Sequence, residues 1–224
     1  MEAAVIELVK TFTAASNSTN ARAMRAYLKD NFPFLGIKAP ERNQLYKKWK
    51  SEYLTACSPD HKLAIVRQLW KLAEREYRYV AIEILTSRKK SEYTVQDILL
   101  LEELIVLDPW WDTVDLIASN AVGVYFRLFP EQIGPITTRW MLSQHLWLQR
   151  TCLLFQLKYG KETDFRLLTT FIDQVKTNRE FFIQKAIGWS LRQYAKTRPE
   201  SVRTYLTTAK IDGLALREAS KYIN

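Results

Sequence analysis

Glycine and proline are scarce in this chain, six and seven in 224 residues. A β-rich protein spends such residues on tight turns, so their scarcity argues against one. Cysteine and histidine are scarcer still, two of each. Cys57 and Cys152 lie far apart and match no metal spacing, and each reads as a small apolar filler. His61 and His145 cannot build a histidine-based metal site by themselves, and neither has an evident triad partner. There is no glycine-rich phosphate loop and no nucleophile elbow. The expectation is therefore a protein without metal or cofactor. No run approaches the roughly 20 apolar residues of a membrane span, and Met1-Glu2-Ala3-Ala4 carries no basic leader region. This points to a cytoplasmic protein with no membrane partner.

What the chain does have is tryptophan, seven in all, and positive charge, a net +9. The charge is uneven. Residues 139–224 hold 15 Lys and Arg against 7 Asp and Glu, a net of +8, while residues 1–138 balance to +1. Such asymmetry is what a polyanion-binding surface needs, although a solvated basic exterior has the same composition.

Apolar residues recur at intervals of three and four almost throughout, without sustained alternation, which predicts helices. Prolines punctuate them: Pro40, Pro59, Pro109, Pro130 and Pro199 each open a helical pattern, with Ser58 and Asp108 placed as N-caps. Gly36, Gly134, Gly160 and Gly213 fall in expected connections. The predicted helices are 3–16, 20–31, 40–56, 59–72, 74–88, 94–106, 109–118, 120–129, 131–142, 146–159, 163–176, 180–197, 199–208 and 212–223. Short links between them make antiparallel hairpins of HEAT-type length. The fold expected is all-α, an α-solenoid of HEAT-like helical hairpins over 1–224 as one domain, curved with a basic concave face.

Three segments carry the chemistry. Trp110-Trp111-Asp112-Thr113-Val114-Asp115 sets the Trp111 indole one helical turn from the Asp115 carboxylate, a pairing suited to a cation. In helix 180–197, Ile183, Ile187, Leu191 and Tyr194 form an apolar row. Lys185, Trp189, Arg192 and Lys196 form a basic row displaced by about 200° around the axis. Helix 146–159 repeats the division, with Leu148, Cys152, Phe155 and Tyr159 on one side and Trp147, Arg150 and Lys158 on the other. Arg150 could grip a phosphate or be a surface ion pair. Asp115 could serve chemistry or be an architectural partner of Arg150.

These segments resemble the AlkD family of DNA alkylation repair proteins, alkylpurine DNA glycosylases built from HEAT-like repeats. The resemblance runs along nearly the whole chain. It is carried by Phe34-Leu35-Gly36-Ile37 with Pro40-Glu41-Arg42, and by Leu101-Glu102-Glu103-Leu104-Ile105-Val106 leading into the Trp111–Asp115 segment. Trp147-Leu148-Gln149-Arg150, Phe155-Gln156-Leu157-Lys158-Tyr159 and Phe181-Phe182-Ile183-Gln184-Lys185-Ala186-Ile187-Gly188-Trp189 complete it. It implies Trp111 and Trp189 as aromatic walls around the damaged nucleotide, Asp115 as the catalytic carboxylate and Arg150 at the DNA backbone. It further implies Tyr27, Lys158, Lys185 and Arg192 as DNA contacts. Ala39 and Asn43 depart from the family pattern, where a hydroxyl and a basic residue are expected.

The implied reaction is hydrolysis of the N-glycosidic bond of N3- or N7-alkylated purines in duplex DNA. The implied partner is that duplex, met on the nucleoid by a monomeric protein. A cationic base departs neutral, so one carboxylate suffices where ordinary glycosidases use two. Two alternatives remain at this level: a non-catalytic HEAT-like protein binding damaged or branched DNA, and a protein scaffold with tryptophan anchors.

Overall fold

The computed structural model describes residues 2–223. It is all-helical, with no strand among those residues, and has the α-solenoid-like helical architecture predicted from the sequence. Among the described residues, no helix is long and apolar enough to cross a membrane. The helices group into two compact units, Met1–Glu92 and Tyr93–Asn224.

The first unit holds α1 (Ala3–Ala14), α2 (Ser18–Tyr27), α3 (Ala39–Tyr53), α4 (Pro59–Trp70) and α5 (Arg75–Thr86). In α1, Val5, Leu8 and Phe12 recur at helical spacing and are fully buried. The Asn17 side chain caps α2 by accepting from the Asn20 amide, and Ser58 caps α4 by accepting from His61, with Pro59 as the first helical residue. The Phe34-Leu35-Gly36-Ile37 segment has a structural cause. The fully buried Glu76 carboxylate accepts from the amides of Leu35 (3.1 Å), Gly36 (2.8 Å) and Ile37 (3.1 Å). Gly36 sits at φ +89°, and a Cβ there would lie 2.0 Å from the Asn17 carbonyl oxygen, so only glycine fits.

The second unit holds α6 (Asp97–Val106), α7 (Trp111–Ile117), α8 (Gly123–Leu128), α9 (Ile133–Leu142), α10 (Leu146–Leu154), α11 (Phe165–Val175), α12 (Phe181–Ala195), α13 (Pro199–Thr208) and α14 (Gly213–Ala219). Helix α10 is its hub and packs against α6, α7, α9, α11 and α12. It is buried on all sides, as a helix at the centre of a bundle must be. Its buried polar groups are satisfied: Gln149 donates to the Met141 carbonyl at 3.0 Å, and Thr151 donates to that of Trp147 at 2.8 Å.

Several sequence-based expectations change here. The break expected between 118 and 120 is instead a π turn, Ala118–Val122, that runs α7 directly into α8. Ser119 and Asn120, poor helix formers, stay helical by bonding back to the carbonyls of Asp115 and Leu116, each at 2.8 Å. Asp108 does not cap α7. It lies at φ +48° in the turn ahead, and the helix begins at Trp111. Helix α6 starts at Asp97 rather than 94, Gly134 lies inside α9, and α14 stops at Ala219 before a 3₁₀ turn. Helix α10 ends at Leu154, where i+3 bonds such as Leu157 to Leu154 tighten the chain toward Gly160 at φ +58°. Lys158 is therefore in a turn and not on the helix face assigned to it. Trp147, expected on a polar face, is buried against Trp110 and Phe182. Tyr194 is half-buried and stacks on Phe165 at 4.4 Å.

Helices α12 and α14 pack tightly, and Gly188 permits it. A Cβ at 188 would fall 2.4 Å from the Glu218 Cβ and 2.9 Å from the Ala215 carbonyl oxygen. Alanine favours a helix by about 1 kcal/mol over glycine, whereas overpacking costs about 1–3 kcal/mol. Gly188→Ala is therefore expected to destabilise the protein by up to about 2 kcal/mol in urea unfolding. A gain of about 1 kcal/mol, the helix preference alone, would show that α12 and α14 are not in close contact there.

Candidate active site

The second unit contains an open cavity of about 390 Å³ lined by Trp111, Asp115, Arg150, Phe181, Phe182, Lys185, Trp189, Arg192 and Glu218. Four helices supply these residues. The first turns of α7 give Trp111 and Asp115, the middle of α10 gives Arg150, one side of α12 gives five residues, and α14 gives Glu218. Trp111, Asp115, Arg150 and Trp189, named from sequence spacing and resemblance, thus line one space.

Its floor is a two-toothed ion pair. Arg150 Nε donates to Asp115 Oδ1 at 2.8 Å, and Nη2 donates to Oδ2 at 2.9 Å. The third nitrogen, Nη1, donates to the Phe182 carbonyl. The side chains are 5% and 12% exposed, so the pair is nearly dry yet reaches the cavity. Paired geometry of this kind is what makes a buried charge tolerable, since removing one partner costs about 3–5 kcal/mol. Burial pushes the Asp115 carboxyl above its ordinary 3.8, outweighing the Arg150 bonds that pull it down, and the Asp112 charge adds to the rise. Behind the pair, Trp110 and Trp147 close on Phe182 at 5.1 and 5.0 Å between ring centroids. The Arg150 guanidinium lies over the Phe182 ring at 5.8 Å, which ties the pair to this aromatic cluster.

The structure revises the part given to Arg150. Its residue is only 4% exposed, and its bonds go to Asp115 and a main-chain carbonyl. It is the carboxylate's holder first. One N–H on each terminal nitrogen remains beyond these bonds for a group entering the cavity.

The basic row of α12 appears as expected, with Lys185, Trp189 and Arg192 half-buried at the cavity and Lys196 exposed beyond it. A carboxylate that sequence reasoning missed meets this row. Glu218 Oε1 accepts from Lys185 at 2.9 Å, while Oε2 accepts from Arg192 at 2.6 Å and Lys221 at 2.8 Å. Lys221 and Lys185 hold the Glu218 carboxyl down at about 2, against burial. Its stabilising contribution is present above the ordinary 4.5 and is lost as pH falls from there toward about 2. The available signal was Gly188, an isolated glycine inside a helical pattern, which marks a close approach without saying by what.

Two predicted contacts lie elsewhere. Tyr27 is 71% exposed at the end of α2 in the first unit. Lys158 is exposed in its turn and bonds the Asn120 side chain at the π turn. Neither lines the cavity. Burial raises the Cys152 thiol far from nucleophilic use, and the described residues form no group of three or more His, Cys, Asp and Glu that could hold a metal.

This arrangement can bind a cation against a carboxylate and two indoles, and an anion along the Lys185–Arg192 side. Comparison with known proteins gives the family of the chain. No curated protein matches the chain. A solved structure described as a predicted DNA alkylation repair enzyme from Enterococcus faecalis is 34% identical, with a TM-score of 0.84 covering 93% of this chain and 96% of that one. A family model described as DNA alkylation repair enzyme matches residues 8–223. The match takes in every residue of the cavity, and the chain belongs to the DNA alkylation repair enzyme family.

Proposed function

We propose that the protein is a DNA glycosylase that hydrolyses the N-glycosidic bond of cationic N3- or N7-alkylated purines in duplex DNA. The observation that carries this reading is the shared cavity: a carboxylate held by Arg150, facing the same space as two tryptophans. Cleavage leaves positive charge on the deoxyribose as the base departs. Asp115 opposes that charge and orients the attacking water, and the π faces of Trp111 and Trp189 favour it by about 0.5–2 kcal/mol each. A fixed carboxylate in a water-poor site acts at the transition state without reorganising, which is worth a few kcal/mol. The alkylated base already bears the positive charge that a general acid would otherwise supply, so no second carboxyl group is required. Arg150 keeps both carboxylate oxygens in register, and its remaining N–H groups face an incoming backbone. Neither a metal nor an organic cofactor enters the scheme. The protein is taken to act as a monomer, with Tyr27, Lys158, Lys185 and Arg192 as backbone contacts.

The direct test is release of 7-methylguanine or 3-methyladenine from a methylated duplex. Wild-type protein should release base, and Asp115→Asn should lower single-turnover release at least ~100-fold. The variant's fold is checked by thermal unfolding, since it disrupts the Arg150 pair. Binding without base release by the wild type would favour a non-catalytic reader of damaged DNA.

A pH series gives a second test. Asp115 must be ionised, so release above the uncatalysed background should fall as pH drops through its raised pKa, with a midpoint above 3.8. The same shift means that the folded protein binds this proton more tightly than the unfolded chain does. Asp115 therefore favours folding more in acid, and the activity loss is not unfolding at this residue. A rate unchanged down to 3.8 in protein that remains folded would remove Asp115 from the reaction.

A further inference from the structure

Lys185 and Arg192 are two turns apart on α12, about 10 Å along its axis. Two cations so placed repel each other and would extend separately into solvent. Here their tips meet on the two oxygens of one carboxylate, Glu218, at 2.9 and 2.6 Å. Glu218 is itself fixed. Its side chain is 8% exposed, and its Cβ stands where only a glycine at 188 leaves room. The two cations are not spent by this bond. Lys185 and Arg192 keep 38% and 23% of their side-chain surface open. An ammonium offers three N–H donors and a guanidinium five, and Glu218 takes one from each. All three groups line the cavity that holds Asp115.

We propose that Glu218 is a positioning residue for the substrate backbone, setting Lys185 and Arg192 side by side as a two-cation clamp for one phosphodiester beside Trp111 and Asp115. This rests on the DNA-repair reading above and adds to it a carboxylate that strengthens the binding of a polyanion. Glu218 does not touch the reacting atoms. Its effect passes through Lys185 and Arg192.

The sign of one substitution tests it. Glu218→Gln makes the protein more positive by one charge, which by itself tightens binding to DNA. The clamp predicts the reverse. Glu218→Gln should bind a methylated duplex about tenfold more weakly and raise KM by a similar factor, with kcat within about twofold of wild type. The slope of log K against log salt should become shallower by about 0.9, one phosphate's worth. Tighter or unchanged binding with the slope retained would overturn the proposal and make Glu218 a masking or purely architectural anion. Should Glu218→Gln fail to fold, Lys185→Gln and Arg192→Gln decide. One shared phosphate predicts that each single variant and the double lose about the same 0.9 of slope. Two separate losses, about 1.8 in the double, would overturn the clamp. Failure of the DNA reading itself looks different, because wild-type binding would then be insensitive to salt.

Discussion

Everything at the site depends on holding one negative charge where it is costly to have one. Asp115 is almost out of water, and without Arg150 it would either take up a proton or destabilise the unit. Two parallel hydrogen bonds keep it charged and fix its orientation, while burial keeps its proton affinity above that of a free carboxylate. The result is an anion partly satisfied and partly poised. Burial of the pair sets that balance, since a wet pair would be worth little in either role.

The surrounding architecture follows from the same need. Arg150 sits on α10, which packs against five other helices of its unit, so the carboxylate's holder is anchored in a buried helix. Asp115 lies three residues before the π turn begins, and the Ser119 hydroxyl bonds its carbonyl. Glycines matter where helices must come close: Gly188 admits α14, and Gly123 lets the backbone near Phe155 approach α8, where a Cβ would lie 2.5 Å from the Phe155 carbonyl oxygen. On the far wall a second carboxylate, Glu218, gathers cations just as Arg150 meets an anion. The cavity is thus lined by internally matched charges with a cationic excess of Arg150, Lys185 and Arg192 over Asp115 and Glu218.

Much of this was legible in the sequence because it follows from helical periodicity. The i, i+4 spacing of Trp111 and Asp115 and the basic row of Lys185, Trp189 and Arg192 place those side chains on faces whatever the tertiary context; that the faces line one cavity is what the structure adds. The failures have physical causes. Trp147 looked polar-facing because α10 was read as a surface helix, whereas a helix buried on every side has no outer face. Ser119 fell between two predicted helices, and its intrinsic preference is for caps and turns; back-bonding to the Asp115 carbonyl keeps it helical. Lys158 was misplaced because helix ends are weakly encoded. Glu218 was invisible since its importance arises from contacts 26 and 33 residues away in sequence, and nothing local to it marks those partners.

The central claim is that Asp115 and Arg150 act as one unit in bond cleavage. The most direct measurement is a double-mutant cycle of single-turnover base release, with Asp115→Asn, Arg150→Gln and the double variant compared at saturating protein. If the arginine acts through the carboxylate, the double variant should be within about threefold of Asp115→Asn alone. Losses that multiply across the two sites would contradict the account and give Arg150 an independent part in the reaction.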